Sequence, residues 1–317
     1  MRHTLRLTFS ALVALCSLAS LATMASAQSG AADRDSMFQW TGQMAAGTVL
    51  RVFSVNGPIN AVVSSDGFAE VKAVKRGRSG RSIRDDRYSE LVFETRRVGN
   101  DIVICVLGPE DDCDDDGVTR HGRSRDGRQR HADVTIRVPK GVKLHVVSGN
   151  GAVEAEGTGA GVIARSGNGA VRVEAHGDSV VAHSGNGDID VRGAGGPVNA
   201  HSGNGRIEVT TSLGPVQATT GNGSIQVEMA ALRGSENMSF RSGNGRVTVT
   251  LPADYNGELE SSTGNGHLVS DFPLSVEGRL DRQRVRATIG KGGPRLRITS
   301  GNGNLVLRKA GGTRRER

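Results

Sequence analysis

Apolar and polar residues alternate along most of this chain in a register that repeats. The stretch from Ser166 to His183, SGNGAVRVEAHGDSVVAH, holds two nine-residue halves. Each half is a polar turn followed by an apolar-polar-apolar run. Counting from the starting serine, the sixth position is Val153, Val171, Ile189, Ile207 and Ile225, and the eighth is Ala155, Val173, Val191, Val209 and Val227. The fifteenth is Leu144, Val162, Val180, Val198 and Val216, and the seventeenth is Val146, Ala164, Ala182, Ala200 and Ala218. Alternation with a period of two puts each set on one face of a strand. Two runs per unit therefore predict a rung of two short strands facing each other. Successive rungs stack as parallel strands about 4.7–4.9 Å apart.

The turns carry G-N-G. Its asparagines are Asn150, Asn168, Asn186, Asn204 and Asn222, 18 residues apart, then Asn244, Asn265 and Asn302 at steps of 22, 21 and 37. The longer steps read as loop insertions. Glycine supplies positive φ without steric cost and asparagine tolerates the left-handed region, which suits a reversal of about four residues. The stacked asparagines form a structural turn ladder, with side chains able to hydrogen-bond up the column. One rung cannot bury enough to offset ordering its own backbone, so the ends need caps. The fold class is all-β: a β-solenoid of 18-residue, two-strand rungs in parallel sheets, with an N-terminal β-rich capping module.

The flanks set the organisation. Arg2 and Arg6 precede an apolar run over 7–21, and Ala25-Ser26-Ala27 forms an A-x-A cleavage site. Residues 1–27 read as a secretory signal peptide. Residues 28–37 are a flexible linker. Residues 38–147 form a β module that opens the solenoid, where Val55-Asn56-Gly57 is a degenerate copy of the repeat turn. That module carries a polar, mobile loop at 108–131, with Asp111 to Asp116 followed by Arg120, Arg123, Arg125, Arg128 and Arg130. The repeats occupy 148–309, and 310–317 is a charged tail whose Arg314, Arg315 and Arg317 end the sheet with charge and discourage edge pairing.

Composition narrows the function classes. Glycine is 45 of 317 residues and aromatics are 3%, so the core is thin and aliphatic. The formal net charge of +7 falls to +5 once Arg2 and Arg6 leave with the leader. Basic residues are spread over turns and loops, which argues against nucleic acid as a partner. No later stretch approaches the ~20 apolar residues of a membrane helix, so no transmembrane span is expected. Beyond the leader only Cys105 and Cys113 remain. In an oxidising compartment they read as a local disulfide, with reduced thiols or a metal site as the weaker alternative.

Candidate chemistry is sparse. The half-repeat resembles the calcium β-roll pattern, but its Asp ligand column is here Val153, Val171, Ile189, Ile207 and Ile225. Asp111 to Asp116 lacks the alternating spacing of a calcium loop. His183 and His201 share one outer column without a third ligand. Glu154, Arg172, Asp190 and Glu208 form an outward column of mixed charge, which Glu156 beside Glu174 interrupts. Ser148, Ser166, Ser184 and Ser202 are turn residues with no His-Asp arrangement. No catalytic, cofactor-binding or metal residues are assigned, and no cofactor is expected.

Four features together resemble one family: Trp40-Thr41-Gly42, Val55-Asn56-Gly57, Val138-Pro139-Lys140-Gly141-Val142 leading into the repeats, and Gly290-Lys291-Gly292-Gly293-Pro294 with Thr299-Ser300-Gly301-Asn302-Gly303. The chain is similar to the bacterial adhesin-like family called domain of unknown function 4097. That resemblance implies an exported β-solenoid and brings no functional residues with it. The expected function is a non-catalytic exported envelope or surface protein. It would sit in the periplasm, the outer envelope or outside the cell, with an adhesin-like binding or scaffold role toward an unknown partner, protein or envelope polymer. The alternative is a polysaccharide-active β-helix enzyme. It would need a groove with two carboxylates and aromatic platforms, for which only Trp40, Tyr88 and Tyr255 are on offer.

Overall fold

The computed structural model describes residues 37–76, 91–108, 111–115, 117–120, 131–176, 179–276 and 283–311. The signal peptide, the linker up to residue 36, Tyr88, Asp116, the basic run Arg123 to Arg130 and the tail from residue 312 lie outside them. The described chain is all strand and turn, without a helix.

The opening strands are β1 (Met37–Gln43), β2 (Val49–Asn56), β3 (Ile59–Ser64), β4 (Phe68–Arg76), β5 (Val92–Val98), β6 (Asp101–Leu107), β7 (Asp111–Cys113), β8 (Val118–Arg120) and β9 (His131–Pro139). The regular rungs follow as pairs: β10 (Lys143–Asn150) with β11 (Val153–Glu156), β12 (Val162–Ser166) with β13 (Val171–Glu174), β14 (Val180–Ser184) with β15 (Ile189–Ala194), and β16 (Val198–Asn204) with β17 (Ile207–Thr211). Next come β18 (Val216–Asn222) with β19 (Ile225–Met229) and β20 (Met238–Asn244) with β21 (Val247–Leu251). The chain closes with β22 (Gly257–Asn265), β23 (Leu268–Ser270), β24 (Leu274–Val276), β25 (Arg284–Ile289), β26 (Arg295–Asn302) and β27 (Leu305–Lys309).

These strands build two large sheets. The first has the order β1-β4-β9-β3-β11-β13-β15-β17-β19-β21-β27-β23, and the second β24-β25-β22-β26-β20-β18-β16-β14-β12-β10-β2-β6-β5. The rungs pair in parallel and in the 18-residue register: Val153, Val171, Ile189, Ile207 and Ile225 are successive Cα partners. So are Ala164, Ala182, Ala200 and Ala218. All four apolar columns are buried in one core cluster between the sheets. The core continues past the regular rungs through Phe240, Ile298, Leu305 and Leu307. This is the β-solenoid that the alternation predicts.

Both ends depart from simple sequence order. The first rung in the chain, β2/β3, is not outermost: β6/β9 stacks outside it, covered by the antiparallel strands β5, β4 and β1. At the other end the chain builds β22/β23 and the antiparallel hairpin β24/β25, then returns. Its last repeat, β26/β27, slots between β20/β21 and β22/β23. The strand preceding the charged tail is therefore interior. The edge strands at this end are the three-residue β23 in the first sheet and β24 in the second.

Gly57, Gly245, Gly266 and Gly303 take the expected positive φ, but the glycines of the regular rungs serve a different purpose. Gly167 and Gly169 are not among the positive-φ glycines. A Cβ on Gly169 would overlap the carbonyl of Gly151 in the rung before, and one on Gly167 that of Gly149. Turns stacked at strand spacing leave no room for a methyl, so clearance, not handedness, selects glycine here.

Candidate functional site

The turn column is held by two ladders. Each Asn Nδ2 donates to the Oδ1 of the neighbouring rung at 2.6–2.7 Å, in the spatial order Asn56, Asn150, Asn168, Asn186, Asn204, Asn222, Asn244, Asn302, Asn265. The second ladder is the serine column. Ser148, Ser166, Ser184 and Ser202 are buried. Each Oγ donates to the last glycine carbonyl of the preceding turn at 2.8–2.9 Å. Thr220, Ser242, Ser300 and Thr263 do the same farther along. A serine hydroxyl committed to a buried carbonyl is a structural group. The sequence signal for it was a Ser or Thr opening every repeat.

Cys105 and Cys113 are bonded, with Cα atoms 6.1 Å apart. The bond fastens the β7/β8 hairpin beside a small second cluster of Phe53, Val103, Cys105, Leu107 and Cys113. The first half of the acidic run is thus an ordered hairpin and not part of a mobile loop. Asp114 caps its turn, accepting from Gly117 N at 2.7 Å and from Thr119 Oγ1 at 3.2 Å. Asp111 accepts from Gly108 N.

His183 and His201 are side by side, ring centroids 4.5 Å apart and edge to face. Burial, then His201 and Arg165, push the His183 imidazole below its ordinary value. Among the described residues no group of three potential ligands surrounds them or any other point.

The two outer faces differ in charge. On the regular rungs of the first sheet the two outward arginines are matched: Arg172 reaches Glu154 at 2.8 Å, and Arg192 forks onto Asp190 at 2.7 Å. Asp190, followed by the nearby Glu208 and Glu174, raises the Arg192 guanidinium. The Glu156–Glu174 neighbourhood now has an account. Glu156 turns to accept from Val63 N at 3.0 Å, while Glu174 is the register partner of Arg192. On the second sheet the outward cations Arg165, Arg241, Arg284, Arg286, Arg295 and Arg297 face only Glu258 and Glu260 within the strands β12 to β25.

That imbalance concentrates in a groove of about 530 Å³ across β25, β22 and β26. Register fixes its floor. Arg286, Glu260 and Arg297 form one row, and Thr288, Glu258 and Arg295 the next. The apolar alternates Leu259, Ile289, Leu296 and Ile298 point into the core and anchor the strands. Glu260 and Arg286 are 3.7 Å apart, a loose pair of a half-buried carboxylate and an exposed guanidinium. Arg295 and Arg297 have no carboxylate partner among the described residues. Two carboxylates thus share a groove, but no aromatic ring lines it. Trp40 lies in β1 at the opposite end. Tyr255 is buried, its hydroxyl pushed up to about 12 by burial. No helix of the described residues is long and apolar enough to cross a membrane.

The family model described as Toastrack DUF4097 matches residues 118–308. No curated protein matches the chain. Among solved structures, the chain is similar to a candidate adhesin from Bacteroides fragilis, at 11% identity over 86% of this chain and 96% of that one, with a TM-score of 0.37. A candidate adhesin from Parabacteroides merdae is 11% identical over 86% and 95%, with a TM-score of 0.37. A candidate cell adhesion protein from Clostridium sporogenes is 11% identical over 86% and 99%, with a TM-score of 0.26. Scores of this size carry no functional argument, so function is argued from the chain itself.

Proposed function

We propose that this chain, which belongs to the Toastrack DUF4097 family, is an exported, adhesin-like protein of the cell envelope that binds a macromolecular partner without turning it over. The observation that carries this reading is the in-register stack. Parallel rungs fix the outward side chains at constant strand spacing, and the asparagine and serine ladders pin every turn to its neighbour. A surface so held is preorganised, so binding an extended partner costs little ordering. Export is supported by Arg2, Arg6, the apolar run at 7–21 and Ala25-Ser26-Ala27.

A polysaccharide-active enzyme is the alternative that Glu258 and Glu260, sharing one groove, bring forward. Against it stand the Glu260–Arg286 pairing and the missing aromatic platform. The test is a screen of the mature protein against envelope polymers and envelope proteins by pull-down, beside a glycan panel scored for turnover. Saturable capture without turnover is the expected result. Turnover abolished by Glu258→Gln or Glu260→Gln would establish the enzyme instead. Capture of nothing, with no phenotype on deletion, would leave a scaffold and overturn the binding role.

A further inference from the structure

We infer that the groove across β25, β22 and β26 is a binding site for an acidic polysaccharide laid along the solenoid axis; the inference rests on the binding role proposed above and names its ligand class. The argument begins with unmet charge. On the first sheet Arg172 and Arg192 are neutralised by Glu154 and Asp190. On the second, among the described residues the Arg295 and Arg297 side chains have no carboxylate partner and Arg286 has only the loose contact at 3.7 Å. Guanidiniums favour planar, bidentate partners such as carboxylates. These ones wait for an anion from outside.

Register supplies the direction. Arg286 and Arg297 flank Glu260 in one row, two strand spacings apart, or about 10 Å. In the next row outward along the same strands, Arg284 on β25, Ser262 on β22, Thr299 on β26 and Arg241 on β20 stand abreast. Cations therefore recur along the stack axis, across the strands. A linear polyanion lying along that axis meets several in succession, whereas one lying along a strand leaves the groove at once.

The two glutamates select among polyanions. Glu258 and Glu260 repel a chain that is anionic at every position, such as polyphosphate. They also offer acceptors for hydroxyl donors. An acidic sugar carries both groups: its carboxylates suit Arg286, Arg295 and Arg297, and its hydroxyls suit Glu258, Glu260 and Thr288. No aromatic ring in the groove offers a base a stacking surface, which disfavours single-stranded nucleic acid.

The experiment is calorimetric titration of the mature protein with polygalacturonate, with neutral dextran and polyphosphate as parallel probes. Polygalacturonate should bind, dextran should not, and polyphosphate should bind more weakly. The affinity should fall with added salt, because exposed charges are screened beyond about 8 Å at physiological ionic strength. The double variant Arg295→Gln/Arg297→Gln should lose roughly tenfold in affinity, while Arg172→Gln on the other face should lose none. Arg286→Gln and Arg241→Gln, each singly weaker than wild type, carry the test if the double variant does not fold. Equal loss on both faces, or polyphosphate binding as tightly as polygalacturonate, overturns the assignment. So does sedimentation in which the groove instead captures a second copy of the chain. If polygalacturonate fails while the pull-down captures another partner, this inference falls and the binding role stands.

Discussion

Ile207 is the sharpest probe of the register. It has no solvent exposure, with Ile189 and Ile225 as its strand partners on either side. Ile207→Ala removes three carbons from a site where the full transfer term applies, about 0.8 kcal/mol per carbon. The cavity adds more, because the neighbouring rungs are pinned by their ladders and collapse poorly. We expect the upper part of the range for such truncations, about 3–5 kcal/mol. Ile207→Asp should cost more still, since it also buries a carboxyl with no partner. Arg206 precedes it and is exposed, so Arg206→Ala should change stability by about 0.5 kcal/mol or less. Urea unfolding followed by far-ultraviolet circular dichroism measures all three. If Arg206→Ala proves as damaging as Ile207→Ala, the strand faces are reversed and every column is misassigned.

Three further tests address the rest of the structure. Ser202→Ala strands the Gly187 carbonyl and should cost about 1–3 kcal/mol, more than the exposed Asn204→Ala at about 0.5–1.5 kcal/mol; the opposite order in urea unfolding would mean that the asparagines, not the serines, lock the turns. Reducing the Cys105–Cys113 bond should weaken the β7/β8 hairpin locally by roughly 2–3 kcal/mol. Hydrogen exchange should rise at residues 101–120 and stay unchanged at 153–227, and a global loss of protection would refute a local role. The depressed His183 imidazole is favoured neutral in the fold, so its contribution is present above its ordinary value of 6.5 and is lost as pH falls below it. Stability should decline from about pH 6.5 downward, and less steeply in His183→Gln; identical slopes would remove His183 as the cause.

The regular rungs were legible because alternation and turn spacing agree. Val171 and Val173 can only face the core together, and a one-residue slip would expose both. The position of the last rung was not legible. Asn302 and Asn265 head identical turns, and nothing in either turn says which stacks first. The path through β24 and β25 decides it. The glycine reading gave the reason that holds at Gly245, Gly266 and Gly303 but missed the one that holds in the regular rungs, since the crowding of Gly169 by Gly151 exists only once the rungs are stacked. The groove was also invisible. Its charges lie at alternate positions of three strands, in Glu258-Leu259-Glu260, Arg284-Val285-Arg286 and Arg295-Leu296-Arg297, and become one surface only through the strand order. The disulfide pairing needed no fold, because two cysteines remained and the compartment argued for their oxidation.

The inserted last rung has a mechanical consequence. Force applied through the C-terminus does not reach the edge of the stack. It reaches β27, hydrogen-bonded on one side to β21 and on the other to β23. An edge strand peels one bond at a time, but an interior strand must release two ladders together. The N-terminal end differs: its first described strand, β1, is an edge strand paired to β4 alone. A protein tethered at its C-terminal end while gripping a polymer along its face would carry load through an interior rung. A pulling experiment on the C-terminus should therefore record an early, high rupture force, and moving the attachment point to β23 should lower it.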